Sequence, residues 1–142
     1  MQQGKIKKTD PDKTYRRVLA SSTLEGDEVR NSAGEKLGKV DEIMIDIPSG
    51  RVAYAVLSFG GVLGMGNKLF ALPWEIMSVD EDEKCFIVNV DKETLKTAPG
   101  FDKDHWPDMT DRTWASGIFE HYHASPYWEQ EGEKTYRGRG GL

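Results

Sequence analysis

The sequence predicts an all-β domain: a small barrel of about six short strands, then one short helix and an irregular, aromatic-rich C-terminal extension. Three observations carry that expectation. Short apolar runs recur between tight turns, and the run Val40–Ile47 alternates with a period of two. Helix signals gather only after residue 90. The hairpins are closely spaced, as in a small barrel or a folded-over sheet.

The elements follow in order. Residues 1–16 are polar, contain Pro11 and show no periodicity, so a disordered basic arm is expected. A first strand or turn is expected around "YRRVLASSTL". "NSAG" (31–34) and "PSG" (48–50) read as tight turns in which glycine supplies the special backbone angles. Between them Ile43, Ile45 and Ile47 fall on one strand face, and Met44 and Asp46 on the other. "RVAYAVLSF" is nearly all apolar and short, which predicts a strand buried on both faces. "KLFALPW" predicts a strand ended by Pro73, which has no N–H for a ladder. "IMSVD", a "DEDE" turn and "KCFIVNV" predict a further hairpin.

"DKETLKTAPG" predicts the short helix, with Asp91 as N-cap, Glu93 in the first turn and a stop before Pro99-Gly100. The extension, 99–128, holds Trp106, Trp114 and Trp128, with room for a short helix near "MTDRTWASGIFEHY". Residues 129–142 read as a disordered tail. The barrel domain is expected over 17–98.

Composition narrows the function classes. The formal net charge is −5, unevenly spread: residues 1–17 carry +4, 129–142 carry 0, and 18–128 carry −9. An acidic body repels phosphate backbones, which argues against nucleic acid as a partner. The basic arm reads as a solvated segment, with membrane contact peripheral at most. No apolar run approaches the ~18 residues of a membrane span, and no apolar stretch at the start resembles a secretory signal, so a cytoplasmic location is expected. Cys85 is the only cysteine and sits in an apolar strand, where a buried inert thiol is expected.

The stretch "GGVLGMGNK" (60–68) raises the question of a phosphate loop. Gly61 and Gly66 have the spacing of a Walker motif, but Asn67 stands where the lysine belongs and no Ser or Thr follows Lys68. A dinucleotide motif fails too, because Leu69 stands at the third glycine. Above all, a strand follows, where both sites need a helix N-terminus. The stretch therefore reads as a hairpin loop with Val62, Leu63 and Met65 at its tip. Apolar tip residues either fold back over the barrel end or meet a partner.

At this point the residues resemble a known family. The "G-x-x-L-G-x-V" turn and strand (Gly34 to Val40), the "D-x-x-x-G-R-V-x-Y-A-V-L" hairpin (Asp46 to Leu57), the Gly-rich loop and "K-L-F-A-L-P-W" (Lys68 to Trp74) together look like the PRC-barrel domain. The similarity covers roughly 17–96. "APGFDKDHWPDM" (98–109) is similar to the extension of free-standing bacterial PRC-barrel proteins. The resemblance implies a compact all-β barrel, no catalysis, and contact with other macromolecules. Related domains form the cytoplasmic part of the photosynthetic reaction-centre H subunit and the C-terminal domain of a ribosome maturation factor. This chain lacks the membrane helix of the first and the separate N-terminal domain of the second, so neither role transfers directly.

Candidate chemistry is weighed against blander readings. His105, His121 and His123, with Asp104 or Glu120, match no strong ligand spacing, so no metal is expected. "DEDE" (80–83) and Asp102, Asp104 and Asp108 are carboxylates on turns; an acid–base pair needs an apolar pocket to separate its pKa values. No catalytic residue and no cofactor are assigned. The aromatics Trp106, Trp114, Phe119, Tyr122, Tyr127 and Trp128 either pack back on their own barrel or anchor a partner. The sequence thus predicts a non-catalytic protein-interaction module, homodimeric, whose partner surface is Val62, Leu63 and Met65 with Trp106 and Trp114. The alternatives are an accessory of a photosynthetic or respiratory electron-transfer membrane complex, and a factor in ribosome maturation or RNA processing.

Overall fold

A computed structural model describes residues 18–60 and 67–129. The expected basic arm, the loop-tip residues Val62, Leu63 and Met65, and the expected tail beyond Glu129 lie outside the described residues. One turn of helix, α1 (Ser21–Leu24), opens the described chain where the sequence suggested a strand or turn; it buries Leu24. The strands are β1 (Glu28–Asn31), β2 (Lys36–Asp46), β3 (Arg51–Gly60), β4 (Asn67–Pro73), β5 (Met77–Asp80) and β6 (Cys85–Val88). The helices α2 (Lys92–Lys96) and α3 (Arg112–His121) follow, with single 3-10 turns at Trp74–Ile76 and Tyr127–Glu129.

The turns form for reasons legible in their residues. The Asn31 side-chain oxygen accepts from the N–H groups of Ala33 and Glu35, at 3.1 and 2.9 Å, and its Nδ2 donates to Glu35 Oε1 at 2.7 Å. A buried asparagine is thereby satisfied. The Asp46 carboxylate accepts from Ser49 Oγ at 2.6 Å and from Ser49 N–H at 3.2 Å, which closes the β2–β3 turn. Asp91 caps α2 by accepting from Thr94 N–H at 2.8 Å.

The sheet runs β4-β3-β2-β1-β6-β5, with β1 and β6 parallel and the other neighbours antiparallel. The expected closed barrel is corrected here: β4 and β5 end the order and no ladder joins them. The sheet is curled nonetheless. Laid flat, β4 and β5 would lie about 24 Å apart. Yet only Trp74–Ile76 separates Pro73 from Met77, and that link spans at most about 15 Å. The Trp74 ring, just past β4, meets Phe86 of β6 at 5.8 Å. Side-chain packing thus does at this end what backbone pairing would do in a closed barrel.

The core follows from that curl. Ala53 to Leu57 of β3 are all buried, as a strand covered on both faces requires. Val29, Leu37, Val40, Phe70, Leu72, Phe86, Val88 and Leu95 join them in one cluster. Gly38 has φ +153°, and a Cβ there would collide with the Ser58 carbonyl oxygen, so β2 and β3 approach more closely than a side chain allows.

The isoleucine face of β2 is only partly buried. The β2–β3 register shifts twice, with Asp41 extra on β2 and Ala53 extra on β3. Ile43 packs against the core, but Ile45 is 51 % exposed and Ile47, beyond the strand, is 82 % exposed. Past Lys39 the strand outruns β1, which pairs with β2 only over Lys36–Lys39, while β3 stays paired as far as Asp46.

Candidate interaction surface

The C-terminal segment is less irregular than the sequence implied. Asp111 caps α3 by accepting from Thr113 N–H at 2.9 Å. Ala115, Ile118, Phe119 and, just past the helix, Tyr122 are buried; their spacing of three and four makes one helical stripe. Phe119 meets the rings of Tyr54, Tyr127 and Trp128 at 5.6, 5.9 and 5.7 Å. Trp114 sets its ring edge-on to Tyr54 at 5.7 Å. The Arg112 guanidinium lies 4.0 Å over the Trp128 ring, and Arg51 donates to the Tyr127 carbonyl at 2.7 Å. Of the two fates weighed for these aromatics, packing on the chain's own sheet accounts for Phe119 and Tyr122 and for most of Trp114. Burial pushes the Tyr54 and Tyr122 phenols well above their ordinary range, and neither hydroxyl has a hydrogen-bond partner among the described residues.

Trp106 has a different setting. Phe101 and Leu69 exchange both backbone hydrogen bonds, each 2.9 Å, so Phe101 pairs with the outer edge of β4. The chain then turns back through a bridge between Asp102 and His105. Trp106 lies outside Phe101, ring to ring at 5.1 Å, and is 39 % exposed. Gly100 makes the approach possible: a Cβ there would come within 2.7 Å of Phe70 Cε1. Sequence reasoning missed this edge cover. Its signal was Pro99-Gly100 followed by an aromatic, which was read only as a helix stop.

The structure does not bring all the predicted surface residues together. Trp106 belongs to the level of Leu69, and Trp114 to that of Tyr54, which pairs with Pro73. Those levels are about 13 Å apart along β4. The connection carrying Val62, Leu63 and Met65 joins Gly60 to Asn67, which pair. That end lies two residues from Leu69 and six from Tyr54.

Several of the groups considered for chemistry are engaged in local structure. Asp80 Oδ1 accepts from the N–H groups of Asp82 and Glu83, both at 3.1 Å, making "DEDE" a self-capped turn. Asp108 accepts from Thr110 Oγ1 and N–H, which hold its carboxyl below the usual range. His121 Nε2 donates to the Thr94 carbonyl at 2.9 Å, tying α3 to α2. Cys85 is buried, and desolvation raises its thiol pKa, the direction opposite to activation. Among the described residues, no group of three or more His, Cys, Asp or Glu is placed to hold a metal ion. No helix among them is long and apolar enough to cross a membrane.

No curated protein matches the chain. A family model does: the PRC-barrel domain, over residues 17–95, which takes in every strand and ends within α2. The chain belongs to the PRC-barrel domain family.

Proposed function

We propose that this chain is a non-catalytic adaptor of PRC-barrel type that docks on another protein, works in the cytoplasm and self-associates as a homodimer. PRC-barrel domains are in general non-catalytic interaction modules. The observation that carries the reading here is Trp106. It is a large aromatic, over a third exposed, whose ring meets at 5.1 Å that of Phe101, a residue itself held to β4 by two backbone hydrogen bonds. Aromatic side chains held rigidly at a surface lose little entropy on binding and make strong anchors. The Trp106 end of the sheet, with the loop carrying Val62, Leu63 and Met65, is the proposed contact surface. Trp114, largely packed against Tyr54, belongs to it only through the part of its side chain left uncovered.

Sedimentation over a range of concentrations tests the reading. A monomer–dimer equilibrium is expected, shifted toward monomer by Trp106→Ala, while that variant unfolds cooperatively with a loss of about 1 kcal/mol from the missing ring pair. A strictly monomeric chain, with capture of native partners unchanged by Trp106→Ala, refutes the proposed surface.

A further inference from the structure

One strand of the sheet runs on past its neighbour β1. Beyond Lys39, β2 keeps β3 on one side, but among the described residues no strand lies on the other. Among the described residues Val40 is the last with backbone partners there: Gly26 N–H donates to its carbonyl at 2.8 Å, and its own N–H donates to Asp27 O at 2.9 Å. Among the described residues Asp41–Asp46 therefore presents an open strand edge, with alternate N–H and C=O groups turned outward. This contrasts with β4, whose outer edge is met by Phe101.

The side chains along this edge say what would fit. Met44 pairs with Tyr54, the residue under α3, so Glu42, Met44 and Asp46 share the α3 face. Ile43 and Ile45 share the opposite face. Asp41 and Glu42 are exposed, and Ile45 is half-exposed. One side of the edge thus carries the carboxylates of Glu42 and Asp46 on either side of Met44, and the other is aliphatic at Ile43 and Ile45. A second copy of the chain would bring the same carboxylates, and like charges across a strand pair are destabilising. The whole stretch 18–128 carries −9, so its field favours a cationic strand.

We infer that the Asp41–Asp46 edge accepts an extended basic segment of a partner protein by strand addition, with lysine or arginine beside Glu42 and aliphatic side chains beside Ile43 and Ile45. Main-chain hydrogen bonds supply the affinity and the alternation supplies the selectivity. The inference rests on the interaction-module reading but uses a surface separate from Trp106.

The test uses the full chain and a short synthetic peptide alternating lysine with valine. A control peptide of the same composition carries N-methyl groups on alternate backbone amides, which keeps charge and apolar content but removes donors. Amide exchange is followed residue by residue. The first peptide is expected to slow exchange across Asp41–Asp46 and the control is not. Glu42→Lys, an exposed change, should weaken binding about fivefold, and Trp106→Ala should leave it unchanged. Equal effects of the two peptides would reduce the site to charge attraction and overturn strand addition. So would protection elsewhere, or none. Edge amides already protected in the free chain would give the edge to the chain's own basic residues or to a second copy, and overturn the partner reading. Failure at this edge leaves the Trp106 surface standing, because that surface is read by sedimentation.

Discussion

At the scale of single residues, two positions carry sharp consequences. Gly38 sits in a backbone region that L side chains avoid, with Ser58 backbone in the way of any Cβ. Backbone, unlike a flexible side chain, cannot swing aside. Gly38→Ala should therefore cost about 3 kcal/mol or more, combining dihedral strain with a displaced β2–β3 ladder. A denaturant midpoint within error of the parent would show that the close approach is not required. Tyr122 runs the other way. Its hydroxyl is buried without a partner among the described residues, so its desolvation is not repaid. Tyr122→Phe removes the hydroxyl and keeps the ring. It should be neutral or stabilising by up to about 1 kcal/mol in thermal unfolding. A clear loss would mean that the hydroxyl is hydrogen-bonded in solution.

At the scale of elements, α3 is the informative one. The family match ends at residue 95, yet Ala115, Ile118 and Phe119 belong to the same buried cluster as the strands. Phe119→Ala should cost 3–5 kcal/mol, the usual range for a buried phenylalanine, because three aromatic rings lose their common neighbour. A loss under about 1 kcal/mol would make α3 an appendage rather than part of the core. Legibility in the sequence divides along the same line. β3 was legible because five consecutive buried residues need an unbroken apolar run, and α2 because Asp91 and Glu93 mark a helix start. α3 was only half legible. Its apolar stripe is four residues interrupted by Ser116, Gly117 and Glu120, and its partner Tyr54 lies far away in sequence. The Phe101 bridge and the open edge of β2 were illegible, since both depend on which strand ends where. No local pattern records that β1 stops after four residues while β2 continues for eleven. Of the predicted surface, Trp106 could be named but not separated from Trp114, because periodicity does not place an aromatic in a segment without a period.

At the scale of the whole molecule, charge sets the response to acid. Three carboxyls are held below their usual range. Glu28 accepts from Lys36 and Arg30, each at 2.8 Å from its oxygens, Asp91 accepts from the N–H of Thr94, and Asp108 from Thr110. A carboxyl whose pKa is lower in the folded chain contributes stability above its unfolded value, near pH 4, and loses it as pH falls through the folded value. Asp27 has the opposite sign. Burial raises it and Lys84 only partly offsets that, so its contribution favours the fold at low pH and disappears as pH rises through its folded value. Three groups against one, with nineteen lysines and arginines left unopposed once the carboxyls are protonated, fix the direction. Stability should be nearly level from pH 7 to about pH 5 and fall steadily below about pH 4. Denaturant midpoints measured at intervals from pH 7 to pH 3 check this, with Glu28→Gln expected to be less stable than the parent at pH 7 and to converge on it in acid. A midpoint that holds or rises toward pH 3 would mean that relief of the acidic body's self-repulsion outweighs the lost carboxylate contacts. In that case the −9 of residues 18–128 is a strain that a cationic partner would relieve, and stability at pH 7 should rise on binding one.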